Sequence, residues 1–167
     1  GHLIPTNLLP KPFRRRAFQI VSDWVCARGG YDVIHGHGDS MRQDILSLHN
    51  CVHNAFGLLY QERPPDAGVF RLHRRQLSEN RFGVLIANSN LMKRELIDRF
   101  AISPNKITVI YPGFDPDRFR FEDKARLRMP MRDKWGLKPD DILAGLITSG
   151  DFQKRGVPVF IETVARL

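Results

Sequence analysis

The sequence has few cysteines and no apolar run long enough to cross a membrane. Its two cysteines, Cys26 and Cys51, show no metal-ligand spacing and are too few for a disulfide framework. Two reduced, buried thiols are the simplest interpretation, which favours a cytoplasmic protein. A bilayer span takes about 20 apolar residues, and no segment approaches that length. Residues 1–10 lack the apolar core of a signal peptide, so we expect none there.

Acidic residues are outnumbered by basic ones. The chain has 26 Lys and Arg against 18 Asp and Glu, a formal net charge of +8, which favours anionic partners. Phosphorylated ligands, anionic lipids and nucleic acid all fit that sign. No RNA- or DNA-binding module is recognisable, so we do not expect nucleic acid as the partner. With 167 residues, 42% of them hydrophobic, the chain is long enough to bury a core.

Short apolar segments alternate with amphipathic ones along most of the chain. The predicted strands are residues 31–35, 45–49, 83–87, 106–111 and 142–148. The predicted helices are residues 13–24, two pieces within 51–81 broken at 64–68, and residues 91–100, 122–135 and 157–167. Apolar strands separated by helices predict an α/β fold with a parallel, Rossmann-like sheet covered on both faces.

The composition changes near residues 111–118, where we place a domain boundary. We therefore expect a partial first domain at residues 1–111, a hinge or linker at 112–135 and a strand–loop–helix unit at 136–167. One such unit has too little apolar area to offset the entropy of ordering it. We expect it to be completed by further chain or by a partner.

A glycine-containing loop at residues 148–156 lies between the last predicted strand and helix. Gly150 allows close backbone approach, and Lys154 and Arg155 add two positive charges beside a helix start, which suits a diphosphate. The spacing matches neither a Walker motif nor a dinucleotide fingerprint. A solvated turn is the alternative.

Histidines follow two of the predicted strands. His35, His37 and Asp39 come at the end of one strand, and His49 and Asn50 at the end of the next. Ligands bind at the carboxyl ends of parallel strands, where His49 is able to bond or deprotonate a hydroxyl. A metal site at the first cluster and a purely structural role for His49 are the alternatives.

The basic cluster of Lys11 and residues 14–16 opens the first predicted helix. A solvated helix face is the simplest interpretation. Contact with an anionic membrane surface, helped by Phe13 and Phe18, is the alternative.

Three segments in order resemble one enzyme family: YDVIHGH at 31–37, LIANS at 85–89 and KITVIYPGFD at 106–115. They are similar to retaining glycosyltransferases of the group 1 type (family four, GT-B fold), in which two Rossmann-like domains face each other across a cleft. The loop GDFQKRG at 150–156 looks most like the variant in bacterial lipopolysaccharide-core glucosyltransferases.

This resemblance implies transfer of a sugar from a nucleoside-diphosphate sugar to an acceptor hydroxyl, with retention and with neither metal nor cofactor. The acceptor class it implies is a saccharide or a lipid-linked glycan. The residues it marks for the donor diphosphate are Gly150, Lys154 and Arg155. The residue it marks as catalytic is His49, and those it marks on the acceptor side are His37, Asp39, Asp44 and Asn50. Residues 112–118 resemble the interdomain hinge.

The chain departs from the family pattern in three places. Asp151 follows Gly150 where many members have arginine, and the family's first strands and its donor-binding glutamates are not in this sequence. We therefore expect no catalysis from this chain alone. A basic module for anionic membrane or nucleic acid is the alternative function, and an epimerase or phosphorylase of the same fold is a third. We expect a cytoplasmic location, with peripheral contact at the inner face of the membrane as an option.

Overall fold

Four short parallel strands form one sheet in this structure, a computed structural model that describes residues 4–167. In sheet order they are β1 (His35–Gly36), β2 (Ile45–Leu48), β3 (Val84–Ala87) and β4 (Ile107–Val109). All neighbouring pairs are parallel, which confirms the predicted α/β class with a Rossmann-like sheet. The chain divides into two compact units, Gly1–Tyr111 and Pro112–Leu167, and the sheet belongs to the first.

The helices of the first unit follow the predicted pattern closely. They are α1 (Lys11–Arg28), α2 (Val52–Tyr60), α3 (Gly68–Ser78) and α4 (Asn90–Phe100), with short 3-10 turns at Thr6–Leu8 and Pro104–Lys106. Ser89 caps α4, because its Oγ accepts a hydrogen bond from the Met92 amide at 3.2 Å. The helix ends at Ala101, whose φ of 52° is left-handed, just before Pro104.

The hydrophobic core lies on one face of the sheet, not on both faces as predicted. Side chains alternate along each strand, and the buried apolar strand residues all point to the same face. Together with the helix residues they pack against, they are Leu46, Leu48, Leu85, Ala87, Ile107, Leu77, Met92 and Leu96. The strands lie in the sheet in the same order as along the chain, so right-handed crossovers place α3 and α4 on the same side of the sheet. Val84, on the other face, is 41% exposed.

The first strand is shorter than the predicted one, which covered residues 31–35. Pairing with β2 begins at Ile34, whose carbonyl accepts the amides of Asp44 and Ile45 at 2.8 and 3.1 Å. Residues before Ile34 extend past the start of β2 and have no strand to pair with. Tyr31 and Val33 are therefore 48% and 60% exposed, rather than part of a buried strand.

The connection between β1 and β2 is residues 37–44, shorter than the dozen or so residues that a parallel crossover usually takes. A carboxylate of α1 holds this loop in place. Asp23 Oδ1 accepts hydrogen bonds from Ser40 Oγ at 2.6 Å and from the amides of Met41 and Arg42 at 2.9 and 3.0 Å. The buried Gln76 of α3 donates to the Ser40 carbonyl. The loop is thus attached to both α1 and α3.

The first helix packs on α3 rather than on the sheet. None of its 18 residues is buried, and Phe13 and Trp24, which we predicted on its apolar face, are 61% and 56% exposed. The spacing that predicted the helix was right, but the apolar stripe does not reach the core of this unit. None of the helices in the described part of the chain is long and apolar enough to cross a membrane.

The second unit contains two helices, α5 (Asp123–Lys134) and α6 (Val157–Val164). The strand predicted at residues 142–148 is not formed. A strand needs a neighbour for its backbone hydrogen bonds, and the described residues of this unit supply none. Ile142 and Ile147 are accordingly fully exposed. The division of the chain into acceptor domain, hinge and donor domain stays a prediction.

Candidate active site

Three histidines meet where β1 and β2 end, at what we call the carboxyl edge of the sheet. His35, His37 and His49 alternate with core-facing or small residues, so all three lie on the face opposite the core. The rings of His35 and His37 stack with centroids 4.7 Å apart, and those of His37 and His49 are nearly parallel with centroids 5.6 Å apart. The parallel register therefore brings together histidines twelve or more residues apart in sequence.

The contact between His37 and His49 joins two ring nitrogens. His37 Nδ1 lies 3.4 Å from His49 Nε2, so one ring donates and the other accepts in a long hydrogen bond. Both side chains are exposed, which leaves the remaining nitrogen of each ring open to a ligand. A neutral imidazole in this position is able to accept a proton from a hydroxyl group or to donate a hydrogen bond to it.

Two polar residues that sequence reasoning missed support this edge. His35 Nε2 lies 2.7 Å from Oγ of the buried Ser47 on the neighbouring strand. Asn88, at the end of β3, donates from its Nδ2 to the His49 carbonyl at 2.7 Å. The signal available in the sequence was the position of Asn88 at the end of the adjacent predicted strand. Both bonds fix the backbone from which His37 and His49 project.

The other predicted acceptor-side residues lie in different places. Asp39 follows His37 in the loop and forms an ion pair with Arg15 of α1 at 2.7 Å. Asn50 comes directly after His49 and is half-buried. Asp44 stands at the start of β2, at the opposite edge of the sheet, about 16 Å along the strand from His49. The structure therefore does not bring Asp44 to the histidines.

The Asp44 carboxylate has a structural contact instead. Its Oδ2 accepts a hydrogen bond from the backbone amide of Ile34 at 2.8 Å, while the Asp44 carbonyl accepts hydrogen bonds from the amides of Gly83 and Val84 at 2.7 and 3.0 Å.

The metal alternative raised for His35, His37 and Asp39 finds no geometry to support it. Among residues 4–167, no three His, Cys, Asp or Glu side chains are grouped to hold an ion.

A buried histidine lies behind the loop that carries Asp39. His73 of α3 is 7% exposed, and Gly38 approaches it so closely that a Cβ there would lie 2.8 Å from its Nε2. Burial, together with electrostatic interaction with His53 and Arg15, lowers the pKa of His73 to about 4. The imidazole is therefore neutral at physiological pH, as a close-packed loop requires.

The predicted donor loop lies in the second unit. Gly150 and Gly156 take φ of 86° and 76°, a conformation that side chains rarely adopt. The Asp151 carboxylate accepts the Lys154 amide at 3.1 Å, and its carbonyl accepts the Arg155 amide at 3.0 Å. Asp151, the departure from the family pattern, thus shapes the turn. The side chains of Lys154 and Arg155 are exposed and make no ion pair with the described residues.

The comparison with known families agrees with the fold. The profile of Glycosyltransferase Family 4 matches residues 1–118, well over half of the chain. This chain belongs to glycosyltransferase family 4. The matched residues of family 4 include the histidine edge and Asn88, whereas the loop at 150–156 lies outside them.

A curated relative adds a second likeness. The D-inositol 3-phosphate glycosyltransferase of a Nocardioides species is 26% identical over 152 residues, which cover 83% of this chain and 32% of that protein. This family 4 chain thus spans about a third of the length of the relative it matches. No solved structure matches it significantly.

Proposed function

We propose that this chain forms the acceptor side and the first donor loop of a glycosyltransferase that uses a nucleoside-diphosphate sugar. The sugar passes to a hydroxyl of a saccharide or lipid-linked glycan, with retention. Family membership supports sugar transfer, and the observation that carries the acceptor side is the pair of exposed histidines at the carboxyl edge. His49 contacts the acceptor hydroxyl, and His37 holds the tautomer and orientation of the His49 ring.

The donor half of the proposal rests on the loop at 150–156. Its two left-handed glycines open the backbone, and Lys154 and Arg155 project from it without an ion-pair partner among residues 4–167. Two unpaired cations suit a diphosphate, whose charge grows as the sugar leaves. They supply the stabilisation of the leaving group that this reaction needs. We expect the remainder of the nucleotide site to come from further chain in the full-length gene product or from a partner.

The first test measures nucleotide binding by calorimetry on that full-length protein, with UDP and GDP in separate titrations. We expect one of the two nucleotides to bind, and Lys154→Ala/Arg155→Ala to abolish the binding. Lys134→Ala/Arg166→Ala removes the same charge from exposed positions of the same unit and should bind normally. A folded protein that binds neither nucleotide would refute the donor half and favour the alternative of a basic binding module.

A second measurement addresses the histidine edge. His49→Gln should lower the rate of sugar transfer by roughly 10²- to 10⁴-fold, the usual contribution of a positioned acid or base. Nucleotide affinity should stay unchanged, because the substitution lies on the acceptor side. Transfer within a few-fold of the unmodified protein would show that His49 is not the catalytic residue.

A further inference from the structure

A cleft of about 400 Å³ separates α1 from α3 in the first unit. Four arginines line it: Arg15 and Arg16 project from α1, and Arg71 and Arg75 from α3. The remaining wall is mostly uncharged and includes Gln19 and Leu72. Neither the histidine edge nor the donor loop accounts for this concentration of positive charge.

The charge of the cleft is only partly neutralised. No acidic side chain of the described residues lines it. Arg15 and Arg75 each pair outside the wall, with Asp39 at 2.7 Å and Glu79 at 3.1 Å. Arg71 bonds the Asp66 carbonyl and pairs with the Asp66 carboxylate at 3.7 Å, whereas Arg16 has no ion pair with any described residue. Exposed ion pairs are weak, so these guanidinium groups can turn to an anion that enters the cleft.

Guanidinium groups bind both carboxylate and phosphate, and four of them around one cleft suit the higher charge of a phosphate. Each presents a planar pair of N–H donors that fits two phosphate oxygens at once. The volume of about 400 Å³ is far above the ~30 Å³ of a water molecule and falls at the small end of ligand pockets. The cleft therefore suits a small phosphorylated molecule or a headgroup better than a bare inorganic ion.

The cleft lies beside the proposed acceptor site. Helix α1 leads into the start of β1, and α3 leads into the start of β3, so both helices begin toward the carboxyl edge. The Arg15–Asp39 pair provides a direct link, because Asp39 is two residues from His37. A ligand in the cleft thus has a short path to the two exposed histidines.

We propose that the arginine cleft between α1 and α3 binds a phosphate group carried by the acceptor. This inference rests on the proposed function, since it names the chemical class of the molecule that receives the sugar. Two sources share that chemistry: a soluble phosphorylated sugar and the headgroup of a lipid that carries the glycan. The cleft selects the acceptor by its charge, and the histidine edge acts on its hydroxyl.

The test compares two variants of this 167-residue chain that lose equal charge. Arg16→Gln/Arg75→Gln removes two cleft arginines that hold no loop in place. Arg28→Gln/Arg94→Gln is the control, because Arg28 lies about 18 Å along α1 from Arg16 and Arg94 is exposed on α4. Circular dichroism checks that all proteins are folded. Calorimetry measures binding of glucose 6-phosphate and of glucose, and sedimentation measures binding to phosphatidylcholine vesicles with and without phosphatidic acid.

We expect glucose 6-phosphate to bind the unmodified chain and glucose not to bind. The affinity for glucose 6-phosphate should be at least about tenfold lower in the cleft variant than in the unmodified chain, and within about twofold of it in the control variant. Binding only to phosphatidic acid vesicles, with the same loss in the cleft variant, would assign the phosphate to a lipid. Binding of neither ligand, or equal losses in both variants, would overturn the proposal. Failure of UDP and GDP to bind the full-length protein concerns the donor loop and leaves the cleft result standing.

Discussion

Two buried histidines should make the first unit sensitive to mild acid. Burial lowers the pKa of His73 to about 4, against an ordinary value of 6.5, while the Asp39 carboxylate and a backbone bond to Gly38 oppose the shift. Burial and the nearby Arg74 also lower the pKa of His53, and both ring nitrogens of His53 are buried with no hydrogen-bond partner in the described part of the chain. At a pH below the ordinary pKa of histidine, these two imidazoles bind protons in the unfolded chain but stay neutral in the folded chain. Stability is therefore complete above about pH 6.5 and falls as the pH drops toward 4.

The size of the loss follows from the shift in the pKa of His73. With 6.5 in the unfolded and about 4 in the folded chain, His73 alone lowers the free energy of unfolding by about 2 kcal/mol between about pH 7.5 and pH 5. The full shift corresponds to about 3 kcal/mol at lower pH. His53 adds a loss of the same sign. The window above about pH 5 avoids most of the titration of carboxylates.

Urea unfolding at a series of pH values measures this effect. His73→Gln cannot titrate, so its unfolding free energy should fall about 2 kcal/mol less over the same window. The double variant His53→Gln/His73→Gln should be flatter still. If the unmodified chain keeps the same unfolding free energy to within about 0.5 kcal/mol, or if His73→Gln shows the same loss, the reasoning about burial is refuted.

Three further substitutions test the packing that positions the site. Asp23→Ala removes three hydrogen bonds from the loop after β1 and should lower the free energy of unfolding by about 2 kcal/mol. Hydrogen exchange at the Met41 and Arg42 amides should become faster, and unchanged exchange would contradict the role of Asp23. Leu85→Ala opens a cavity at a fully buried position and should cost about 3 kcal/mol in urea unfolding, so a loss below about 1 would place Leu85 outside the core. Ser89→Ala removes the cap of α4 and should cost about 1 kcal/mol, whereas Ser89→Gly should cost only a few tenths.

The strands that were predicted correctly from the sequence are those that have a neighbouring strand in the sheet. β2, β3 and β4 are apolar runs bounded by polar or glycine residues, and each has a partner in the sheet. Residues 31–33 and 142–148 were also predicted in strands, yet they form none because no segment of residues 4–167 pairs with them. Apolar composition predicts which segments are able to form strands, but hydrogen bonding between distant segments decides which of them do.

The candidate site shows the same limit. His37 and His49 were predicted at one edge because parallel strands end together, and the structure places their rings in contact. Asp44 was grouped with them because the family resemblance implies an acceptor-side aspartate near this position, although a strand separates the two edges. Asp23 carried no local pattern, and Asn88 only its position at the end of a predicted strand, since the loop and backbone groups that they bond lie 17 or more residues away along the chain. Such contacts become visible only when the fold has been assembled.

Asp44 supports the histidine site although it lies at the opposite edge of the sheet. Through its backbone and its carboxylate it bonds Ile34, Gly83 and Val84, and so it aligns the starting points of three strands. Side chains on a strand change face with every residue, and a slip by one position would turn His49 away from His37. The spacing of the two imidazoles is thus set at the far end of the sheet. Asp44 thus fixes the register of the strands, and the register fixes where both histidines lie.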